Sequence, residues 1–292
     1  MRLEREKIIA ACQPSLLPCI HIKPASAEAP GPTDSKFGGE FYLPAGAEAP
    51  ELEFLAQINF AQAPHLEGFP ETGLLQFFLC TDEETFESFA ENDSAWKQDA
   101  GLFKVLYYPE LPEDAPACET HVPEKRRYMN APVGGMEFEP AEEIATISVA
   151  DGGGFAIDLG YESLEDVLMP IFQAAWEEDE DEDDEDGEDE EDCAEEEGVY
   201  DLENSCEDTD RFTCDFGNWG FKLGGHPALR QGEFRLDGES WTDYSALLFQ
   251  YDLTPPDDTS ALEEDTFCFF IRPDDLKAGR FDDILMVYHN CF

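Results

Sequence analysis

The chain has 292 residues, of which 42% are hydrophobic, and its 69 acidic residues outnumber 17 basic ones to give a formal charge of −52. The apolar fraction is ample for a core in one large domain or two ordinary ones, while the charge argues against phosphate backbones and anionic lipid as partners, because such binding relies on Lys and Arg neutralising phosphate. Eighteen of the acids lie between Glu177 and Glu197, and the rest of the chain still carries −34, so the folded part is acidic in its own right and suited to a basic protein partner.

Nine cysteines form no Cys-x-x-Cys pair, so neither a thioredoxin motif nor a zinc knuckle is written here. The start, Met1 to Lys7, is charged, and the apolar patch after it is cut by Gln13 and Pro14, which does not read as a signal peptide. No apolar run reaches the length of a membrane span. Reduced thiols, a cytoplasmic location and no membrane or nucleic-acid partner are the expectations.

In chain order, Leu3, Ile8, Ile9 and Cys12 fall at helical spacing, and Pro14 and Pro18 close that helix. Cys19 to Ile22 alternates as a short strand, and Pro24 to Thr33 reads as a loop. Lys36-Phe37-Gly38-Gly39 then opens a series of strands. In the first, Phe54, Ala56, Ile58 and Phe60 fall on one face and Gln57 and Asn59 on the other. Leu74 to Leu79 is apolar on both faces apart from Gln76, as in a central strand. Glu83 to Trp96 suits a loose surface helix, and Val105 to Tyr108 a third strand.

Pro109 to Pro140 is rich in proline and charge and reads as a variable loop, with Lys125-Arg126-Arg127 as a solvated basic turn. Ile144 to Val149 and Phe155 to Leu159 flank Asp151-Gly152-Gly153-Gly154 and predict a hairpin. Leu164, Val167, Leu168, Ile171, Phe172 and Ala175 make a helical stripe, which Pro170 should kink. The acidic run cannot build a core and repels itself, so a disordered loop is expected there. Its partial calcium-loop pattern fails, since Glu182 holds the first ligand position and Cys193 the position of the bidentate Glu.

Beyond the run the opening series returns. Lys222-Leu223-Gly224-Gly225 answers the first Gly-Gly element, Leu248-Phe249-Gln250-Tyr251-Asp252 answers Leu55-Ala56-Gln57-Ile58-Asn59, and Phe267 to Ile271 and Met286 to His289 answer the second and third strands. This predicts an α+β fold, mostly antiparallel sheets from two degenerate repeats packed as one domain with few helices. Residues 1–176 form the N-terminal unit with its leading helix, 177–198 the disordered acidic loop and 199–292 the C-terminal unit.

Catalytic signatures are lacking. His65-Leu66-Glu67 begins a deaminase pattern that no Pro-Cys-x-x-Cys completes, and there is no Gly-x-Ser-x-Gly elbow, phosphate loop or dinucleotide fingerprint. No cofactor, metal site or catalytic residue is expected. Glycine doublets permit tight turns or close backbone approach, and a Gln in a half-buried strand is usually a satisfied structural amide. The functional reading of the same residues is a groove between the two units, lined by Lys36, Gly38, Gly39, Gln57, Lys222, Gly224, Gly225 and Gln250.

The strings Ser35-Lys36-Phe37-Gly38-Gly39, Leu55-Ala56-Gln57-Ile58-Asn59, Gly73-Leu74-Leu75-Gln76-Phe77-Phe78, Lys222-Leu223-Gly224-Gly225-His226-Pro227 and Phe269-Phe270-Ile271-Arg272-Pro273 resemble the YwqG-like family of uncharacterised bacterial proteins over roughly residues 18 to 292. The resemblance implies a single large α+β domain in a bacterial cytosolic protein and supplies no catalytic residues. Some members of that family are met near toxin and immunity genes, company that is compatible with an inhibitory binding role. Glu40-Phe41 departs from the small or proline-containing turn expected after the first Gly-Gly. The leading functional expectation is a non-enzymatic acidic protein-binding module, immunity or inhibitor-like. The alternative is a small-molecule binder or enzyme using the groove between the repeats.

Overall fold

The computed structural model describes residues 2–25, 29–80, 95–111, 132–150, 154–157, 162–182, 199–202, 206–228, 241–253 and 266–289. Among these the chain runs through β1 (Arg2–Glu4), α1 (Arg5–Cys12), β2 (Leu17–Pro24), β3 (Lys36–Phe37), β4 (Glu53–Asn59), β5 (Leu74–Leu79), β6 (Ala95–Lys97), β7 (Phe103–Tyr108) and β8 (Gly134–Glu143). It continues through β9 (Ile147–Ala150), β10 (Gly154–Ile157), α2 (Glu162–Glu182), β11 (Val199–Asp201), α3 (Cys206–Phe216), β12 (Phe221–Gly224), β13 (Ala246–Asp252), β14 (Thr266–Ile271), α4 (Pro273–Lys277) and β15 (Leu285–His289).

Eleven of the strands form one sheet in the order β6-β15-β14-β13-β12-β2-β8-β3-β4-β5-β7, antiparallel throughout. The long apolar runs supply its most buried members, and β5 and β14 are buried at every position. The sheet is strongly curled. Phe77 on β5 stands 4.5 Å from Phe249 on β13 between ring centres, although six strand spacings would put them roughly 29 Å apart in a flat sheet. Phe77 also meets Phe269 at 5.0 Å, and Phe37 meets Phe221 at 4.6 Å. The main core is this aromatic interior.

The two ends of the sheet meet at Gln98. Its backbone N–H donates to Ile284 O at 3.1 Å, just before β15, while its Oε1 accepts the N–H of Val105 on β7 at 2.9 Å. Tyr107 packs on Phe281 at 4.6 Å beside this join. One residue therefore ties strand ends that the ladder leaves apart.

Helices α1, α2 and α3, the β1/β11 ribbon and the β9/β10 hairpin share a second core of Leu3, Ile8, Cys12, Ile147, Leu168, Phe172, Tyr200, Phe212 and Phe216. Tyr200 is the pivot: its ring meets Phe212 edge-on at 5.2 Å, and its hydroxyl donates to Asp215 at 2.5 Å. No helix among the described residues is long and apolar enough to cross a membrane.

The architecture is mostly antiparallel sheet with four α-helices among the described residues, and it differs from expectation in particular places. Gly134 to Pro140 belongs to a ten-residue strand, not to a loop. β3 pairs only with Gly134 and Gly135, so the rest of β8 has one flank unpaired among the described residues, the setting in which a sheet accepts a proline. Helix α2 continues through Pro170 and into the acidic run as far as Glu182. Val167, expected inside its stripe, is 46% exposed. Phe54 does not share a face with Ala56 and Ile58, because a bulge at Leu55 turns it to a separate cluster with Phe41 and Phe78. Of the helix expected over Glu83 to Trp96, Ala95 and Trp96 are in strand β6 instead, and its remainder, the basic turn at Lys125 to Arg127 and the acidic run from residue 183 lie outside the described residues.

Candidate functional site

The residues expected to line a groove occupy two separate places. Lys36 is paired with Gln57 across β3 and β4, and Lys222 with Gln250 across β12 and β13. Strands β2 and β8 stand between the two pairs, and the interior between the halves is filled by the rings of Phe37, Phe221, Tyr251, Phe77, Phe249 and Phe269.

Each amide is fully engaged in holding a loop. Gln57 Nε2 donates to the carbonyls of Pro32 and Asp34 at 2.8 and 2.7 Å, and its Oε1 accepts the N–H of Tyr42 at 3.1 Å. Gln250 Nε2 donates to the carbonyls of Asn218 and Gly220 at 3.0 and 2.9 Å, and its Oε1 accepts the N–H of Ala228 at 2.8 Å. Buried amides stitch a loop to a strand in this way because an unpaired polar group costs more than a made bond returns.

The two glycine doublets also share a conformation, with φ of 51° and 68° at Gly38 and Gly39 and of 66° and 72° at Gly224 and Gly225. Their surroundings differ. Among the described residues a Cβ on Gly39 would meet only Val133 Cγ1, at 3.6 Å, whereas one on Gly225 would lie 2.8 Å from Cys19 Cβ and inside the contact distance of Glu143 Oε2. The second doublet is a seat for a carboxylate.

That carboxylate, Glu143 at the end of β8, is the hub of the most concentrated polar chemistry among the described residues. Lys222 Nζ, fully buried, donates to Glu143 Oε1 and Oε2 at 3.0 and 2.8 Å and to Asn218 O at 2.7 Å. The N–H of His226 donates to Glu143 Oε2 at 3.1 Å, and His21 Nε2 bonds Oε1 at 2.9 Å. His226 Nε2 carries the proton of its own ring, since it donates to the carbonyl of Ser15 at 2.7 Å. Cys19 completes the group: its Sγ, a ring nitrogen of His21 and a Glu143 oxygen all lie within 4.8 Å of one another.

Burial opposes the charge on Glu143, but the Lys222 ammonium and the His21 bond outweigh it and hold the carboxyl at about 2. Burial, reinforced by Glu143, pushes the Cys19 thiol up to about 12 although Lys222 pulls the other way. As it stands, the cluster is a buried ion pair with a protonated thiol beside it. The imidazole of His21, 39% exposed, is its contact with solvent.

Sequence reading found Lys222, Gly224 and Gly225 but not their partners. Cys19-x-His21 on a strand puts both side chains on one face, a signal that was available. Glu143 lies between the segment that reads as a loop, which ends at Pro140, and the hairpin that begins at Ile144, so nothing brings it to β2.

The chain matches the family described as "Domain of unknown function (DUF1963)" over residues 35–291. No curated protein matches the chain.

Proposed function

Because the chain belongs to this family, whose description assigns no activity, we propose from its own physical character that it is a non-enzymatic, acidic protein-binding module of the cytoplasm that engages a basic partner, in the manner of an inhibitor or immunity protein. The observation that carries the reading is the charge of −34 outside the acidic run. A field of that sign raises the encounter rate with a basic surface and rejects acidic ones. The free thiols of Cys12, Cys19 and Cys80 suit a reducing compartment. Aromatic packing between the halves favours contact at the outer surface over a ligand held in the seam.

We also infer that the two halves descend from an internal duplication. Lys36 faces Gln57 as Lys222 faces Gln250, a bulge at Leu55 answers one at Leu248, and both glutamines hold their loops by the same three bonds. The YwqG-like resemblance rests on the strings that carry these same residues.

The test is affinity capture from the native lysate at about 0.05 M salt, then measurement of the recovered protein's affinity up to about 0.5 M, where the screening length falls below 5 Å. A basic partner whose affinity collapses with salt, and which binds equally when residues 183–197 are removed, supports the proposal. Recovery of acidic or neutral partners alone, or an affinity indifferent to salt, overturns it.

A further inference from the structure

We propose that Cys19, His21 and Glu143 form a three-ligand seat for a borderline transition-metal ion, zinc(II) by its donor set, with Lys222 holding the carboxylate when the ion is away. The inference does not depend on the protein-binding reading. Sulfur, imidazole nitrogen and carboxylate oxygen within 4.8 Å of one another are a mixture that hard cations such as magnesium do not select. Three protein ligands with a fourth position left open is the arrangement zinc adopts where it meets a small molecule or water.

The seat is built before any ion arrives. Cys19 and His21 alternate on one face of β2, and Glu143 projects from β8, the strand hydrogen-bonded to it along its whole length. The N–H of His226 steadies the carboxylate from behind, as outer-shell donors do at metal centres. Gly225 brings its backbone against Glu143 and Cys19 and closes that side. His21, half-exposed, leaves the opposite side open for entry.

The fold itself does not require these side chains. β2 offers His21 across from Lys222, and β8 offers Gly135 across from Lys36. A half with the same Lys–Gln pairing and the same glycine conformation therefore folds with no imidazole at that place. The Lys222 ammonium shows that the hub is a place where positive charge is held, and its bond to Asn218 O at 2.7 Å gives it somewhere to remain when Glu143 turns to an ion. On loading, the Cys19 S–H bond breaks, its proton leaves to solvent and a sulfur–metal bond forms, with no change in oxidation state. The His21 ring, whose Nε2 proton faces Glu143, binds through a nitrogen freed by passing that proton to the other ring nitrogen by way of solvent. The loaded cluster gains one positive charge, which a chain of −52 tolerates.

Cobalt(II) is the probe, because a thiolate ligand gives it a near-ultraviolet charge-transfer band that carboxylates do not. The reduced full chain should bind one equivalent with that band, and zinc(II) should displace it. Cys19→Ser should abolish the band, and His21→Ala should weaken cobalt affinity at least tenfold. Both variants keep the Lys222–Glu143 pair, and circular dichroism checks their folding. A wild-type chain that binds cobalt without the band, through its carboxylates alone, overturns the assignment, as does a band that survives Cys19→Ser. His21 is partly exposed, so His21→Ala retains the fold even if Cys19→Ser does not, and an unchanged affinity in that variant is equally decisive against the site.

Discussion

Lys222→Met would strand a carboxylate that is 7% exposed. Removing one partner of a buried ion pair costs about 3–5 kcal/mol, whereas replacing both with well-packed apolar groups is often close to neutral. Urea unfolding should therefore show Lys222→Met strongly destabilised and Lys222→Met/Glu143→Leu restored most of the way. Acid should act through the same pair. The folded carboxyl sits at about 2, below its ordinary value of 4.5, so its stabilisation is full above pH 4.5 and drains away as the pH falls through about 2. Between about pH 6 and about pH 2 the wild type should lose on the order of 3 kcal/mol more than the double variant does, by urea titration at each pH. The glycines give a third comparison. Gly39→Ala meets only the cost of a left-handed alanine, about 1–2 kcal/mol, while Gly225→Ala adds a clash with Glu143 and should cost clearly more in thermal melts. Both doublets were plain in the sequence. The difference between them was not, because it depends on a glutamate from another strand.

At the scale of elements, reading was best where a strand is apolar on both faces. β5, β13, β14 and β15 announce themselves by composition, and β4 and the hairpin of β9 and β10 by alternation. β8 was lost because Glu137, Glu139 and Pro140 look like a loop. Yet Met136 and Phe138 alternate with those glutamates and pack on the core, so the period was present under a composition that masked it. Phe54 was misassigned because a bulge is one residue of backbone and leaves no mark in the apolar pattern. The join at Gln98 was invisible for a different reason, since it links strands whose adjacency exists only once the sheet has curled. Gln98→Ala should remove the acceptor of the Val105 N–H and leave that buried-edge amide to water, at a cost of about 1–3 kcal/mol. Hydrogen exchange should then accelerate at Val105 well before it does at the central strands β12 and β2.

For the whole molecule, order along the chain and order across the sheet are interleaved. β2 and β6 precede the acidic run in sequence, yet β2 flanks β12 and β6 flanks β15, both of which follow the run. The expected division into two units separated by an acidic spacer describes the sequence better than the sheet, because each half borrows a flank from the other. A protease nick anywhere from residue 183 to 198 would thus release nothing. The two fragments should co-elute at the mass of the intact chain in gel filtration and part only in denaturant, and either fragment expressed alone should lack protected amides in its share of the shared ladder. Cellular cleavage at the acidic stretch would be silent to every native assay of size, and such a nicked species would persist as a clasped pair.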